Sequence, residues 1–526
     1  MQGSLFTDDI RDEGAAVPKP YKPRPYQIEA AERGESALQT ADMCGLYLAT
    51  GTGKTEIGAL LVQPVKDDGV LYIAPRRELV VQTADRLTLR GVDCDIEMAE
   101  RRSHKPVTVA CYQSLRSRNR FQRFLGQKKR IIVDESHLNY SEAALDMLAQ
   151  FRSWGAKVIG MTASPPHKKT VVLSEHFGEA AYVYDYQQAV ADAYLTNCKM
   201  HLCMLEDLDL TGFKATFGGT DPDFNPTRVA RLMEKKANVA GIGSMVFQFW
   251  EEQPSVVFCA SIDQAELVRD DLWGRGIEGS IVHSKMDEDE QRLHLNDFTS
   301  GKSKLIINVG ILTLGWDCPH VRKLFIARPT ASTQLYTQIF GRGTRCFPPG
   351  VIDGIDTVEG RLAAIAASPK PFFEVFDITD ASRHNDLKTA LDVVRPSLDD
   401  RLMKRIRNRA QRGPISPQEL DPIILEEKRM LAAEQAAIDA LEMRKRGNVH
   451  VSGQVVAYER DTFADAETNH RKKVVDFWWM PYGRFKGRGF KAIHAEAPWY
   501  LPYMLKKGVI KDEGLARNIR KFLSAR

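Results

Sequence analysis

The sequence predicts an α/β protein: two tandem domains, each a parallel sheet covered by helices, followed by a helical region and a small α+β C-terminal module. Three observations support this fold class. At 526 residues the chain exceeds what one hydrophobic core organises, so several domains are expected. Short β-branched runs alternate with amphipathic helical patterns, first across residues 22–190 and again across 246–385. Strands covered on both faces read as continuous apolar runs, and the helices between them supply the crossovers that parallel pairing needs. Beyond residue 385 the alternation stops, and the composition becomes helical and basic, then aromatic and glycine-punctuated.

Residues 1–21 are polar and acidic, close on Pro18 and Pro20, and are expected to form a disordered tail. In the first domain, 22–190, the strand candidates are "GVLYIAP" (69–75), "VTVACY" (107–112), "RIIVDE" (130–135) and "AKVIGMTAS" (156–164). An apolar "GLYL" (45–48) runs into a glycine-rich turn. Residues 191–245 read as a less regular connecting segment, with loop signals in "FGGTDPDFNP" (217–226). The second domain, 246–385, repeats the strand pattern in "SVVFCAS" (255–261), "GSIVHS" (279–284), "KLIINVG" (304–310), "RKLFIARP" (322–329) and "FFEVFDI" (372–378). Residues 386–450 read as a helical, basic linker region, in which 421–447 has few breakers and predicts one long helix. The last portion, 451–526, reads as a separate small module.

Composition narrows the function classes. An apolar share of 43% and a charged share of 27% are those of an ordinary soluble protein. No window approaches eighteen uncharged apolar residues, so no transmembrane helix is expected. The N-terminal segment has neither the basic nor the apolar region of a signal peptide. Eight cysteines occur without a C-x-x-C pair, and "CKMHLC" (198–203) fits no common zinc spacing. The thiols therefore read as buried groups in a reducing compartment, with no structural zinc. Net charge is only +4, yet residues 116–130 hold seven Lys/Arg and 401–412 hold six, with no acid in either run. Such runs hint at a polyanionic partner.

The strongest chemical signal is "ATGTGKT" (49–55). A glycine-rich turn at a helix N-terminus can wrap its N–H groups around phosphate, where the helix dipole favours negative charge. Lys54 would reach the β- and γ-phosphates and Thr55 would ligate Mg2+. Leu48 stands where the longer form of this pattern has its first glycine. Some eighty residues later, "IIVDESH" (131–137) ends an apolar strand on two carboxylates. Asp134 would hold Mg2+ and Glu135 would orient or deprotonate the attacking water.

Taken in order over roughly residues 22–380, these segments resemble the superfamily-two helicases and translocases, and the resemblance implies two RecA-like domains. It makes Gln27, in "RPYQIEA" (24–30), the adenine contact, and adds Gly51, Thr52 and Gly53 to Lys54 and Thr55 as nucleotide-binding residues. "APRRELVVQ" (74–82) and "VACYQSL" (109–115) resemble the segments that track a nucleic-acid backbone, through Pro75, Arg76 and Gln113. "TAS" (162–164) matches the segment that couples hydrolysis to strand movement. In "VGILTLGWDCP" (309–319), Thr313 would touch a nucleic-acid phosphate while Gly315 and Asp317 face the nucleotide. "RPTASTQLYTQIFGRGTR" (328–345) fits Q-x-x-G-R-x-x-R, which implies that Arg342 and Arg345 reach the γ-phosphate. A planar guanidinium suits the charge on a transferring phosphoryl group.

Within the superfamily these segments look closest to the RadD-like and type III restriction motor branch, and the DEAD-box RNA helicases look more distant. The resemblance thus implies an ATP- and Mg2+-dependent DNA helicase or translocase in a bacterial or phage-infected cytoplasm. Its DNA would be single-stranded, forked or branched, in replication, repair or recombination; a restriction motor subunit and an RNA helicase are the alternatives. Residues 478–508 resemble the C-terminal module of exodeoxyribonuclease X-like proteins, and its basic turn offers Arg484, Lys486 and Arg488 to DNA. "QGSLF" (2–6) resembles the peptide that bacterial proteins insert into the sliding clamp, which makes Gln2–Phe6 a docking candidate through Leu5 and Phe6.

Overall fold

The structure, a computed structural model, describes residues 22–136, 142–163, 180–205, 207–216, 221–312, 316–380, 387–395, 400–410 and 417–445, with isolated positions elsewhere. The chain divides into two units, Met1–Leu431 and Ala432–Arg526, and both sheets lie in the first. Its strands are β1 (Met43–Leu48), β2 (Val70–Ala74), β3 (Cys94–Glu97), β4 (Val107–Cys111), β5 (Arg130–Val133), β6 (Lys157–Thr162), β7 (Ala180–Tyr184), β8 (Asn197–Leu205), β9 (Ser255–Cys259), β10 (Ser280–His283), β11 (Leu305–Val309), β12 (Lys323–Ala327) and β13 (Phe372–Asp380). The first sheet has the order β3-β4-β2-β5-β6-β1-β7 and the second β10-β11-β9-β12-β13-β8. Every pairing in both is parallel. These are the two parallel-sheet α/β lobes that the alternation predicts.

Strand alternation builds the cores. In β2, Val70, Tyr72 and Ala74 face one apolar cluster, while Leu71 and Ile73 face another across the sheet. In the second lobe Val256, Phe258, Leu324 and Ile326 face one way, and Val257, Cys259, Phe325 and Ala327 the other. One buried cluster takes residues from both sheets. The rings of Tyr186 and Phe340 meet edge to face within it, 4.9 Å apart.

Two expectations need correction. The stretch 191–245 is more than a connector, because it contributes β8, which pairs with β13 from Asn197↔Phe372 to Leu205↔Asp380. "CKMHLC" lies on this strand; His201 stacks on Phe376 at 4.3 Å, with its Nε2 3.0 Å from Glu374. The long helix runs from Pro417 to Lys445, starting before residue 421 and carrying Pro422 in its second turn.

Part of each basic run is paired within the protein. Glu97, fully buried, lies within 3.8 Å of guanidinium nitrogens from Arg102, Arg120 and Arg123, and accepts a 2.9 Å hydrogen bond from Ser103 N. Lys128 donates to Lys105 O, Pro106 O and Thr108 Oγ1 at 2.6–2.9 Å, and burial brings its ammonium down to about 8. Arg130 pairs with Glu35. In the second run Arg405 meets Glu427 at 2.5 Å and Arg409 pairs with Glu426. An arginine whose charge is matched internally has little left for a nucleic-acid phosphate.

Removing the shared anion should expose this. Glu97→Ala would leave three guanidinium groups around an empty site and is expected to cost on the order of 3–5 kcal/mol, read as a lower urea midpoint. An unchanged midpoint would show that the cluster is solvated rather than structural.

Candidate nucleotide site

The turn after β1 is shaped by two glycines with positive φ, Gly51 at 92° and Gly53 at 80°. L-residues rarely adopt this conformation. Neighbouring side chains crowd both positions as well. A Cβ on Gly53 would sit 2.7 Å from Gln27 Nε2, and one on Gly51 would sit 3.0 Å from Thr344 Oγ1. Thr52 is fully buried, and its hydroxyl donates to Ala49 O at 2.7 Å. Its carbonyl accepts from Tyr26 OH at 2.7 Å and Gln27 Nε2 at 3.1 Å, so the segment expected to read adenine is fastened to the loop. Lys54 and Thr55 open the helix Lys54–Val62.

The acid pair sits at the carboxyl end of β5, two strands along the sheet from β1. Asp134 N donates to Ile73 O at 2.9 Å, and the buried Asp134 carboxylate accepts from Glu135 N at 2.9 Å. Glu135 has φ 43°, a left-handed conformation that costs about 1–3 kcal/mol for a non-glycine residue. That conformation accompanies an ion pair of 3.2 Å between Lys54 Nζ and Glu135 Oε1, both side chains only about a tenth exposed. Two hard oxygen donors, Thr55 and Asp134, fit a divalent cation beside the loop. Among the described residues no cation lies within ion-pair distance of Asp134, so its buried charge is left for such an ion.

The arginine turn reaches the loop from the second lobe. Ser332 caps the helix Thr333–Phe340, accepting from Leu335 N at 2.9 Å. Asp221 accepts from Ser332 Oγ at 2.5 Å and Gln334 N at 2.8 Å, anchoring the helix start. At its other end Gly341 lies against Thr50 so closely that a Cβ would fall 2.3 Å from Thr50 Cγ2. Thr344 Oγ1 lies 3.2 Å from Thr50 O. Arg342, buried, donates to Trp316 O, and Arg345 pairs with Asp317. Burial brings both guanidinium groups down to about 10, so they stay charged at neutral pH, and Glu135 supports the charge on Arg342.

The structure therefore brings Gln27, Gly51, Thr52, Gly53, Lys54, Thr55, Asp134, Glu135, Asp317, Arg342 and Arg345 around one cleft. Pro75, Arg76 and Gln113 lie beyond the carboxyl ends of β2 and β4, on the same edge of the first sheet, with Arg76 and Gln113 exposed. Thr313, Gly315, Ser164, Arg484, Lys486, Arg488 and Gln2–Phe6 fall outside the described residues. Sequence reading passed over Thr344, Gly341 and Tyr26 as contacts to the loop. Their signal was position alone, beside residues already singled out.

Residues 20–167 match the family described as type III restriction enzyme, res subunit, and residues 244–346 match the helicase conserved C-terminal domain. Each match falls on one of the two parallel-sheet lobes, so each lobe resembles a domain of the helicases. Among relatives, it is 24% identical over 378 residues to the type I restriction enzyme EcoAI endonuclease subunit of Escherichia coli, covering 65% of this chain and 46% of that one. It is 26% identical over 354 residues to a Saccharomyces cerevisiae protein named as the ATP-dependent helicase IRC3, covering 61% and 49%. The chain thus spans about half the length of these relatives. Its fold is that of an HsdR subunit fragment of a type I restriction enzyme from Vibrio vulnificus, with TM-score 0.53, 22% identity and coverage of 71% and 67%. The restriction-modification enzyme LlaBIII, solved bound to DNA, matches with TM-score 0.50, 17% identity and coverage of 76% and 30%.

The acid pair gives a pH test. Burial, then the Glu135 charge, push Asp134 up from 3.8 to about 7, against the pull of Lys54 and the Glu135 N–H. Between about pH 4 and pH 7 the folded protein holds a proton that the unfolded chain has released, so this group makes the fold less stable as pH rises through that window. Asp134→Asn is expected to raise the melting temperature of the nucleotide-free protein near pH 8, with the gain shrinking as pH falls towards 4. A variant that melts lower than wild type near pH 8 would contradict the assignment.

Proposed function

We propose that the chain is an ATP- and Mg2+-dependent motor that translocates along or separates strands of DNA. One observation carries this reading. The arginine turn of one lobe packs directly on the phosphate loop of the other, with Lys54, Glu135 and Arg342 converging between them. The γ-phosphate of ATP would take Glu135's place as the partner of Lys54. The released Glu135 would then orient or deprotonate the attacking water. Arg345 would exchange Asp317 for phosphate oxygens, and Arg342 would stabilise charge on the equatorial oxygens of the transferring group. When bound, Mg2+ held by Thr55 and Asp134 would neutralise phosphate charge.

Motion follows from the same placement. ATP satisfies phosphate-binding groups on both lobes, so its presence favours closure and its hydrolysis permits opening. The exposed ends of β2 and β4 offer Arg76 and Gln113 to a strand that this cycle would move. The relatives named for restriction support DNA over RNA, and they also support a second reading, a motor subunit whose partner cleaves. The proposed sliding-clamp contact through Leu5 and Phe6 and the C-terminal contact through Arg484, Lys486 and Arg488 are separate parts of this reading.

Glu135→Gln is expected to bind ATP and lose turnover, and Arg345→Ala to lose turnover by on the order of 10³-fold while keeping DNA affinity. ATPase and strand separation measured on single-stranded, forked, four-way and RNA substrates check both variants and the choice of polymer. Persistent hydrolysis in Glu135→Gln, or DNA binding lost in Arg345→Ala, would overturn the assigned roles. Stimulation by RNA above DNA of the same sequence would move the substrate class.

A further inference from the structure

Between the arginine turn and β13 lies a stretch, residues 346–371, that the reaction outlined above does not use. It folds back across the cleft. Arg361, on the helix Val358–Ala366, is 5% exposed. Its Nε donates to Asp192 O at 3.0 Å, and its NH1 donates to Ile355 O at 2.9 Å and Asp356 O at 3.0 Å. The guanidinium lies 4.3 Å from the centre of the Tyr194 ring. Among the described residues no carboxylate lies within ion-pair distance of Arg361, so hydrogen bonds and the ring are what hold it.

Tyr194 carries the contact onward. Arg24 lies 5.1 Å from the centre of the same ring, and the Tyr26 ring meets it at 4.9 Å. Arg24 N donates to Gln27 Oε1 at 2.9 Å, and Gln27 Nε2 donates in turn to Thr52 O on the phosphate loop. A small apolar cluster of Ala193, Ile352 and Ile365, with Tyr194, Cys346 and Val351 packed against it, seals the join. Outside it, Asp353 lies 3.9 Å from Arg24 and Asp356 lies 3.7 Å from Lys22. Those exposed pairs contribute little energy. Their sign still matches the basic start of the base-reading segment.

We propose that residues 346–366 form a clasp through which the second lobe positions the base-recognition segment, with Arg361 acting on Gln27 through Tyr194 and Arg24. This deepens the reading of the chain as an ATP-driven motor and rests on it. The ligand concerned is a purine nucleotide, and the part of it concerned is the base rather than the phosphates. Phosphate contacts would join the lobes at the arginine turn. The clasp joins them a second time, at the base, so occupancy by a complete nucleotide is registered in two places.

The test separates base from phosphate. Calorimetric titration of the full chain with ADP and, separately, with inorganic tripolyphosphate compares ligands with and without a base. Arg361→Met is expected to weaken ADP by about tenfold and leave tripolyphosphate unchanged, and Tyr194→Leu to do the same. The tyrosine variant decides the matter if Arg361→Met does not fold, as judged by its melting curve. Equal weakening of both ligands would make Arg361 a purely structural residue and overturn the proposal. So would ADP affinity equal to wild type in both variants. A wild-type chain that binds neither ligand would instead overturn the motor reading on which the clasp depends.

Discussion

The approach of Gly341 to Thr50 sets the geometry of everything around it. Two backbones from different lobes meet where a single methyl group would overlap a threonine side chain. Close-packed interiors do not absorb such overlaps, so the lobes meet in this register or separate. Because Arg342 and Arg345 follow Gly341 on the same turn, their reach is fixed by that contact. Because Gly51 and Gly53 shape the opposing loop, Lys54 is fixed from the other side. The glycines therefore determine where the charges are, although none of them carries one.

Charge in the cleft is matched within the protein. Lys54 pairs with Glu135, Arg345 with Asp317, and Arg342 donates to the Trp316 carbonyl. Each cation is buried enough that its partner matters more than it would in water. Asp134 differs: it is a buried carboxylate that accepts from the Glu135 N–H, and burial with the neighbouring Glu135 charge raises its proton affinity. Burying this carboxylate carries an electrostatic cost that a divalent cation would relieve.

Much of this was legible in the sequence, and the limits of legibility have a physical pattern. Interior strands such as "GVLYIAP" and "KLIINVG" are covered on both faces, so they read as apolar runs. The strands that went unread, β3, β7 and β8, all lie at sheet edges, where one side lacks a partner and polar residues are tolerated. β8, with Asn197, Lys199 and His201 interleaved, looked like connector for that reason. Lys54, Asp134, Glu135 and the two arginines stand out in sequence because phosphate chemistry would call for those residue types, and the structure gathers them at one cleft. The basic runs could be read only in part, because sequence shows a charge but not the distant partner that neutralises it. Glu97 stands nineteen or more residues from the segment 116–130 that supplies two of its arginines.

The pairing of β8 with β13 bears on how the chain is made. β8 is synthesised as soon as the first sheet is complete, yet its one neighbour in the sheet arrives about 170 residues later. Closing so long a loop is slow, and an unpaired strand edge is exposed in the meantime. The first lobe can assemble on the ribosome as its strands emerge. The second stays open at one edge until Phe372–Asp380 has been translated, after the arginine turn is already in place. Premature termination anywhere between residues 345 and 372 would thus yield a chain with Lys54, Glu135, Arg342 and Arg345 all present and the nine residues of β8 without their partner strand.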